Sequence, residues 1–230
     1  MNPRNAYKSQ SGKSGGLGVV ILAGGKSSRL KVNKVFLKIR YEPLISEIVR
    51  VVSEVAENVV VTIGKQDQEE KFAEILPRWV KIAKDTTDEK AAIYGVLTGL
   101  RAVETDYTAI LAADLPFVNS EVIRMLHREV EGFDLAIPRW PNGDIEPLYA
   151  VYRVLAAQKA FYDTVESGAV RIRDAVNRLE KINYVPVEQF LSVDKSLRCF
   201  VNVNTPTDLE RVKIILRAET DPGGMSGSEI

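Results

Sequence analysis

The chain has 230 residues, of which 45% are hydrophobic and 27% charged, a composition typical of a soluble globular protein. Lysine plus arginine and aspartate plus glutamate both number 31, and this balance argues against general binding to nucleic acid or to membrane surfaces. A single cysteine and a single histidine exclude an intramolecular disulfide, a multi-cysteine zinc site and histidine-rich metal chemistry. No apolar run reaches the length of about 18 residues needed to span a membrane, and no secretory signal core is present, so a cytoplasmic location is expected.

Apolar strand patterns alternate with helical patterns along the chain. We predict a single domain over residues 17–218, with residues 1–16 and 219–230 as disordered polar tails. In chain order the predicted elements are a strand at 18–22, a helix at 43–55, a strand at 59–63, a helix at 67–76, a strand at 80–83, a helix at 91–103, a strand at 107–113, a helix at 119–131, strands at 134–137 and 147–152, helices at 154–166 and 171–179, strands at 183–187 and 199–203, and a helix at 206–217.

This alternation predicts an α/β fold with a mostly parallel sheet and helices on both faces. In such sheets ligands bind beyond the carboxyl ends of the strands. Two polar candidates fall there: the loop that begins at Gly24, after the first strand, and Asp114, which ends a long apolar strand.

The loop after the first strand has the chemistry of an anion cradle. Gly24 and Gly25 lack Cβ atoms, so their backbone N–H groups can approach an anion closely. Arg29 and Lys34 can reach phosphate oxygens. The alternative is a turn that is basic without binding anything. Neither the Walker A pattern nor Gly-x-Gly-x-x-Gly is present, so a dinucleotide-dependent dehydrogenase is not supported. The basic residues between 26 and 40 are Lys26, Arg29, Lys31, Lys34, Lys38 and Arg40, and no acidic residue lies among them.

Two carboxylates follow predicted strands. Asp114 precedes a proline in Asp114-Leu115-Pro116 and could bind Mg²⁺, which prefers one or two carboxylates together with phosphate oxygens and water. Asp85 is a weaker candidate for the same site. The alternatives are an aspartate that caps a turn at position 114 and a solvated loop acid at position 85.

Other residues give weaker signals. Gly95 and Gly99 lie on one face of a predicted helix, where they serve either a ligand or close packing against the sheet. Asn202 and Asn204 alternate on a predicted strand, so their amides share a face; the alternative is that Asn204 or Thr205 caps the next helix. Trp140 lies in a proline-flanked loop and could line a pocket, and Glu146 precedes a predicted strand.

Taken together, these motifs resemble the MobA-type molybdenum cofactor guanylyltransferases, within the broader family of Rossmann-like nucleotidyltransferases. The family signature Leu-Ala-Gly-Gly-x-Ser-x-Arg-Met-Gly-x-Asp-Lys is similar to residues Leu22 to Lys34. Further matches are Pro43-Leu44-Ile45, Gly95-Val96-Leu97-Thr98-Gly99, Asp114-Leu115-Pro116 and the stretch from Asn202 to Leu209.

The resemblance implies transfer of GMP from Mg-GTP to the phosphate of molybdopterin, with GTP and molybdopterin as substrates and molybdoenzymes or cofactor-delivery proteins as further partners. It assigns catalytic roles to Arg29, Lys34 and Asp114, and Mg²⁺ binding to Asp114. By position, the residues that would contact GTP are Leu22, Ala23, Gly24, Lys34, Asp85 and Asp114, with Gly25 in the same loop. The positions linked to activity or to the acceptor are Arg29, Gly95, Gly99, Asn202 and Asn204.

Departures from the family pattern leave the donor and acceptor open. Lys31, Asn33 and Leu30 replace the usual Gly, Asp and Met, and Gly64 cannot offer an amide side chain to the base. One alternative is a nucleotidyltransferase of the same fold that uses CTP with molybdopterin, or that acts on phospholactate or a sugar phosphate. The other is a nucleotide-binding adaptor without turnover.

Overall fold

The computed structural model of the protein describes residues 15–24, 34–39, 41–89 and 91–220. The predicted tails therefore lie almost entirely outside the described residues, and so do Gly25, Arg29 and the rest of the basic loop up to residue 33. None of the helices in these ranges is long and apolar enough to cross a membrane.

Strands and helices alternate through the first part of the chain, as the sequence predicts. The strands are β1 (Leu17–Leu22), β2 (Asn58–Ile63), β3 (Lys81–Lys84), β4 (Tyr107–Ala112), β5 (Leu135–Arg139), β6 (Tyr149–Arg153) and β7 (Ile182–Pro186). The α-helices are α1 (Leu44–Val52), α2 (Glu69–Ile75), α3 (Ala92–Ala102), α4 (Ser120–Glu129), α5 (Val154–Glu166), α6 (Ile172–Val176) and α7 (Pro206–Thr220). Short 3-10 segments occupy Lys34–Phe36, Val187–Ser192 and Arg198–Phe200.

The seven strands form one sheet in the order β3-β2-β1-β4-β6-β5-β7. Every neighbouring pair is parallel except the two made by β6, which runs antiparallel to β4 and β5. The predicted mostly parallel sheet is thus confirmed. Because β1 to β5 all run in the same direction, their carboxyl ends lie at one edge of the sheet. The antiparallel β6 begins at that same edge, with Tyr149 opposite Leu111 of β4.

Hydrophobic cores cover both faces of the sheet. Val19 and Ile21 of β1 pack in a core with residues of α1, α2, α4 and α7, whereas Val20 packs in a second core with α3, α5 and α6. The strand residues are buried on both sides, which explains why β1, β2 and β4 read as continuous apolar runs rather than as alternating ones. The prediction of helices on both faces is confirmed.

The predicted strand at 199–203 is wrong. Leu197 adopts a left-handed conformation with φ of 49° and turns the chain into the 3-10 segment Arg198–Phe200. The amide of Cys199 donates to Asp194 Oδ2 at 2.8 Å, so a side chain takes the bond that a strand ladder would use. Residues 201–204 follow outside any helix or strand.

Candidate active site

Backbone hydrogen bonds continue just past the regular ladders of β1, β2, β3 and β4 and align the carboxyl ends of these strands. As a result Gly24, Gly64, Asp85 and Asp114 lie at one edge of the sheet, where α/β proteins bind ligands. The bonds run from Ala23 N to Thr62 O (2.8 Å), from Asp85 N to Ile63 O (2.9 Å) and from Ala113 N to Leu22 O (3.1 Å).

Gly24 and Gly64 are in direct backbone contact at this edge. A Cβ atom at Gly24 would lie 2.6 Å from the amide nitrogen of Gly64, a distance that no side chain tolerates. Gly64 is in turn closed off by Asp67, whose Oδ2 accepts its amide proton at 2.7 Å. The first glycine of the predicted cradle is therefore required by the approach of β2. Gly25 and Arg29 lie outside the described residues, and Lys34 is described only by its backbone, which begins a 3-10 segment.

Asp85 presents a half-buried carboxylate beside α3. Burial raises the pKa of Asp85, a hydrogen bond from Thr98 opposes this shift, and the nearby Asp67 carboxylate adds to it. The Oδ1 atom of Asp85 is buried and has no hydrogen-bond partner among the described residues. A buried acceptor without a partner carries a desolvation cost that a ligand N–H group would remove. Asp85 is thus more than a solvated loop acid.

The two glycines of α3 have different surroundings. A Cβ at Gly99 would lie 2.2 Å from Cγ1 of Val20, so close packing of helix and sheet accounts for this glycine by itself. A Cβ at Gly95 would lie 3.4 Å from Thr62 Oγ1 and 3.9 Å from Asp85 Oδ2, which is ordinary contact. Packing therefore does not require a glycine at position 95, and a side chain there would contact Thr62 and Asp85.

Asp114 and the two asparagines are brought together, although they are distant in sequence. The amide of Val203 donates to the carbonyl of Asp114 at 2.9 Å. Val203 is buried, while Asn202 and Asn204 on either side of it are exposed. Both asparagines are therefore exposed on the segment that contacts Asp114, although this segment is not a strand.

The helix cap belongs to Thr205 and Asp208. Thr205 Oγ1 accepts from the amide of Asp208 at 3.2 Å. Asp208 Oδ2 accepts from the amides of Asn204 and Thr205 at 3.0 and 2.8 Å, and these bonds hold the pKa of Asp208 below its usual range. This reciprocal capping box fixes the start of α7.

An aromatic cluster packs around Phe200, two residues before Asn202. The sequence alone did not reveal this cluster. Phe200 makes edge-to-face contacts with Trp140, Tyr149 and Phe190, with ring centroids 5.7, 5.1 and 6.0 Å apart. The hydroxyl of Tyr149 accepts from the amide of Asn119 at 3.0 Å, which ties the cluster to the start of α4. Two signals pointed to this region, Trp140 in its proline-flanked loop and Glu146 before a strand, but spacing alone could not join them to Phe200.

The donor atoms at this edge suit Mg²⁺. Asp114 supplies a half-buried carboxylate at the end of β4, and carboxylate oxygen is a ligand that Mg²⁺ prefers. Within the described ranges no group of three or more His, Cys, Asp and Glu side chains is placed to hold a metal ion. A site with one carboxylate therefore fits Mg²⁺ that takes its other ligands from phosphate and water, rather than a metal caged by protein alone.

Comparison with known proteins agrees with this geometry. The sequence-family model of the MobA-like NTP transferase domain matches residues 19–182. The chain belongs to the MobA-like NTP transferase family. The matched region runs from β1 to the first residue of β7 and includes the glycine loop, Asp85 and Asp114. The protein is therefore a nucleotidyltransferase.

Individual relatives of this MobA-like enzyme cover most of its length. A Natronomonas pharaonis protein named as a probable molybdenum cofactor guanylyltransferase is 33% identical over 84% of this chain and 95% of its own. A Methanosarcina mazei protein of the same name is 29% identical over 92% of this chain and 96% of its own. The crystal structure of molybdopterin-guanine dinucleotide biosynthesis protein A from Archaeoglobus fulgidus superposes with a TM-score of 0.73 at 28% identity, over 87% of this chain and 98% of that one.

Proposed function

We propose that this MobA-like enzyme transfers GMP from Mg-GTP to the terminal phosphate of molybdopterin, forming the guanine dinucleotide cofactor and pyrophosphate. One observation carries the proposal. The bond from Val203 to the Asp114 carbonyl joins the candidate metal ligand to the segment that carries the two asparagines, and this supports a shared site beside Gly24 and Gly64. The names of the relatives supply the donor and the acceptor.

The donor nucleotide would lie over the ends of β1, β2 and β3. Gly24 and Gly25 would cradle phosphates with their backbone N–H groups, and Arg29 and Lys34 would offset the charge of the triphosphate. The residues proposed to contact GTP are Leu22, Ala23, Gly24, Gly25, Lys34, Asp85 and Asp114.

Asp85 supports guanine as the base. Guanine presents a ring N–H and an amino group side by side, and a carboxylate accepts both. The buried Oδ1 atom of Asp85 lacks a partner among the described residues and would gain one. Cytosine offers an acceptor nitrogen beside its amino group, which would face the carboxylate unfavourably. This contact replaces the amide that Gly64 cannot provide.

The chemistry needs no protein nucleophile. An oxygen of the acceptor phosphate attacks the α-phosphorus of GTP, the bond from that phosphorus to the bridging oxygen breaks, and pyrophosphate leaves. The protein contributes by positioning both substrates and by offsetting the charge that develops, as in other phosphoryl transfers. Mg²⁺, when held by Asp114, supplies positive charge beside the phosphates. Asn202 and Asn204 would face the acceptor, Gly95 would lie beside the donor base next to Asp85, and Gly99 would act through the packing of α3. A cytoplasmic location and molybdoenzyme or delivery partners remain predictions.

Pyrophosphate release from GTP, CTP, ATP and UTP, each with Mg²⁺ and molybdopterin, tests the proposal. We expect turnover with GTP and little with the other three. A preference for CTP would identify a cytidylyltransferase, and tight GTP binding without release would identify an adaptor. Turnover only with a sugar phosphate or with phospholactate would identify that compound, and not molybdopterin, as the acceptor.

A further inference from the structure

The loop of residues 140–148 borders the site on the side of β4 away from β1. The amide of Ala112 donates to the carbonyl of Leu148 at 3.1 Å, and the amide of Glu146 donates to Pro138 of β5 at 3.1 Å. Apart from Lys34 and Asp114, the described residues proposed to contact GTP lie at the ends of β1 and β3. This loop therefore borders the other half of the edge, beyond Asp114.

The loop has two acidic residues, of which Asp144 is exposed and Glu146 is half-buried. The Oε1 atom of Glu146 accepts from the indole N–H of Trp140 at 2.7 Å. Burial raises the pKa of Glu146, the Trp140 hydrogen bond opposes the shift, and Asp144 adds to it. Among the described residues no lysine or arginine forms an ion pair with Glu146. Within the described ranges, this carboxylate is thus partly desolvated and has no cation paired with it.

Packing of the loop does not require this charge. Trp140 is fixed by its contact with Phe200 at 5.7 Å and by a backbone bond from its amide to Asp144 O at 2.8 Å. A glutamine oxygen can also accept the indole proton, in a weaker bond without the charge. Trp140 uses one lone pair of the Glu146 carboxylate, and no cation among the described residues is paired with its charge, so it is available to a ligand that donates hydrogen bonds.

The acceptor of the proposed reaction has two chemically different ends. Its phosphate is anionic and would be repelled by Glu146. Its pterin ring carries a ring N–H beside an amino group, and a carboxylate accepts two such parallel donors. Each carboxylate oxygen has two lone pairs, so Oε1 can keep Trp140 and still accept from a ligand.

We propose that Glu146, held in place by Trp140, binds the amino edge of the pterin ring and so orients the acceptor with its phosphate toward Asp114. This inference rests on the proposed function, since it presumes molybdopterin as the acceptor. The edge of the sheet would then carry one recognition carboxylate on each side. Asp85 would bind the base of the donor, and Glu146 would bind the pterin ring of the acceptor.

The test is the steady-state kinetics of Glu146→Gln, varying each substrate at a saturating level of the other. Loss of a charge-assisted pair should raise the KM for molybdopterin about 10- to 100-fold, while the KM for GTP stays within about twofold. The matched control is Asp144→Asn, an exposed carboxylate of the same loop, which should match the wild type. Trp140→Phe keeps an aromatic ring but removes the indole donor, and should raise the same KM by a smaller factor. Equal rises in both KM values, or no rise for molybdopterin, would overturn the inference.

A second measurement separates this inference from the proposed function. Unsubstituted pterin, followed by its own fluorescence, should bind the wild type and bind Glu146→Gln about 10-fold or more weakly. Equal binding to both proteins would reject the role of Glu146, even if GTP and molybdopterin give pyrophosphate. If those substrates give none, the proposed function fails, yet the loss of pterin binding in Glu146→Gln would still locate a pterin site at this loop.

Discussion

Val203 donates its amide proton to the carbonyl of Asp114 at 2.9 Å, and this bond joins the end of the central strand to the segment that carries both asparagines. Only backbone atoms take part in this bond, so the bond itself does not depend on the Asp114 carboxylate. A change of that side chain therefore tests its chemistry without removing this link between the two segments.

Asp114→Asn should lower pyrophosphate release at least about 100-fold, because the amide loses the negative charge that holds the metal ion. The unfolding midpoint should stay close to that of the wild type. Glu131→Gln, which removes an exposed acid after α4, should leave both quantities unchanged. Turnover near the wild-type rate in Asp114→Asn would remove this residue from the mechanism.

Gly24→Ala should be more harmful than Gly64→Ala. The new methyl at position 24 would lie 2.6 Å from a backbone nitrogen, whereas at position 64 it would lie 3.1 Å from the end of the Asp67 side chain, which can move. We expect Gly24→Ala to lose about 1–3 kcal/mol of unfolding free energy and most of its turnover. Thermal denaturation of both variants is the measurement, and equal midpoints would mean that the two strand ends do not meet as described.

The pair in α3 separates a packing glycine from a site glycine. Gly99→Ala would place its methyl 2.2 Å from Val20 Cγ1 and should cost about 1–3 kcal/mol, which Val20→Ala in the same protein should partly relieve. Gly95→Ala should fold normally and lose nucleotide affinity or turnover. Additive losses in the double variant, or a normal midpoint for Gly99→Ala, would contradict the packing role.

The sequence predicted the parts of this protein that depend on local pattern. Apolar strands, helical spacing and the position of Asp114 after a strand follow from residue order alone, and they placed Gly24, Asp85 and Asp114 at one edge. What it could not predict depends on distant partners. Gly99 faces Val20, Phe200 meets Trp140 and Tyr149, and Leu197 turns the chain where a strand was expected.

The pH dependence of stability tests the environment of Asp85. Its pKa is raised from the ordinary 3.8, chiefly by burial, so the folded protein binds this proton more tightly than the unfolded chain does. The free energy of unfolding therefore falls as pH rises from 3.8 through the raised value, and the deficit persists at neutral pH. Asp85→Asn cannot titrate. We expect it to be at least as stable as the wild type at pH 7, to lose this advantage on acidification, and to bind GTP more weakly.

Asp88 serves as a control, because its pKa is shifted in the direction opposite to that of Asp85. Hydrogen bonds from Lys65 and Gln66 lower its pKa from 3.8, so its contribution to stability is present above 3.8 and is lost as pH falls. Asp88→Asn should therefore be no more stable than the wild type at pH 7, and any deficit should shrink in acid. Chemical denaturation of the three proteins across this pH range distinguishes the two environments. If Asp85→Asn were clearly less stable than the wild type at pH 7, the Asp85 carboxylate would be serving the fold and would not be held ready for a ligand.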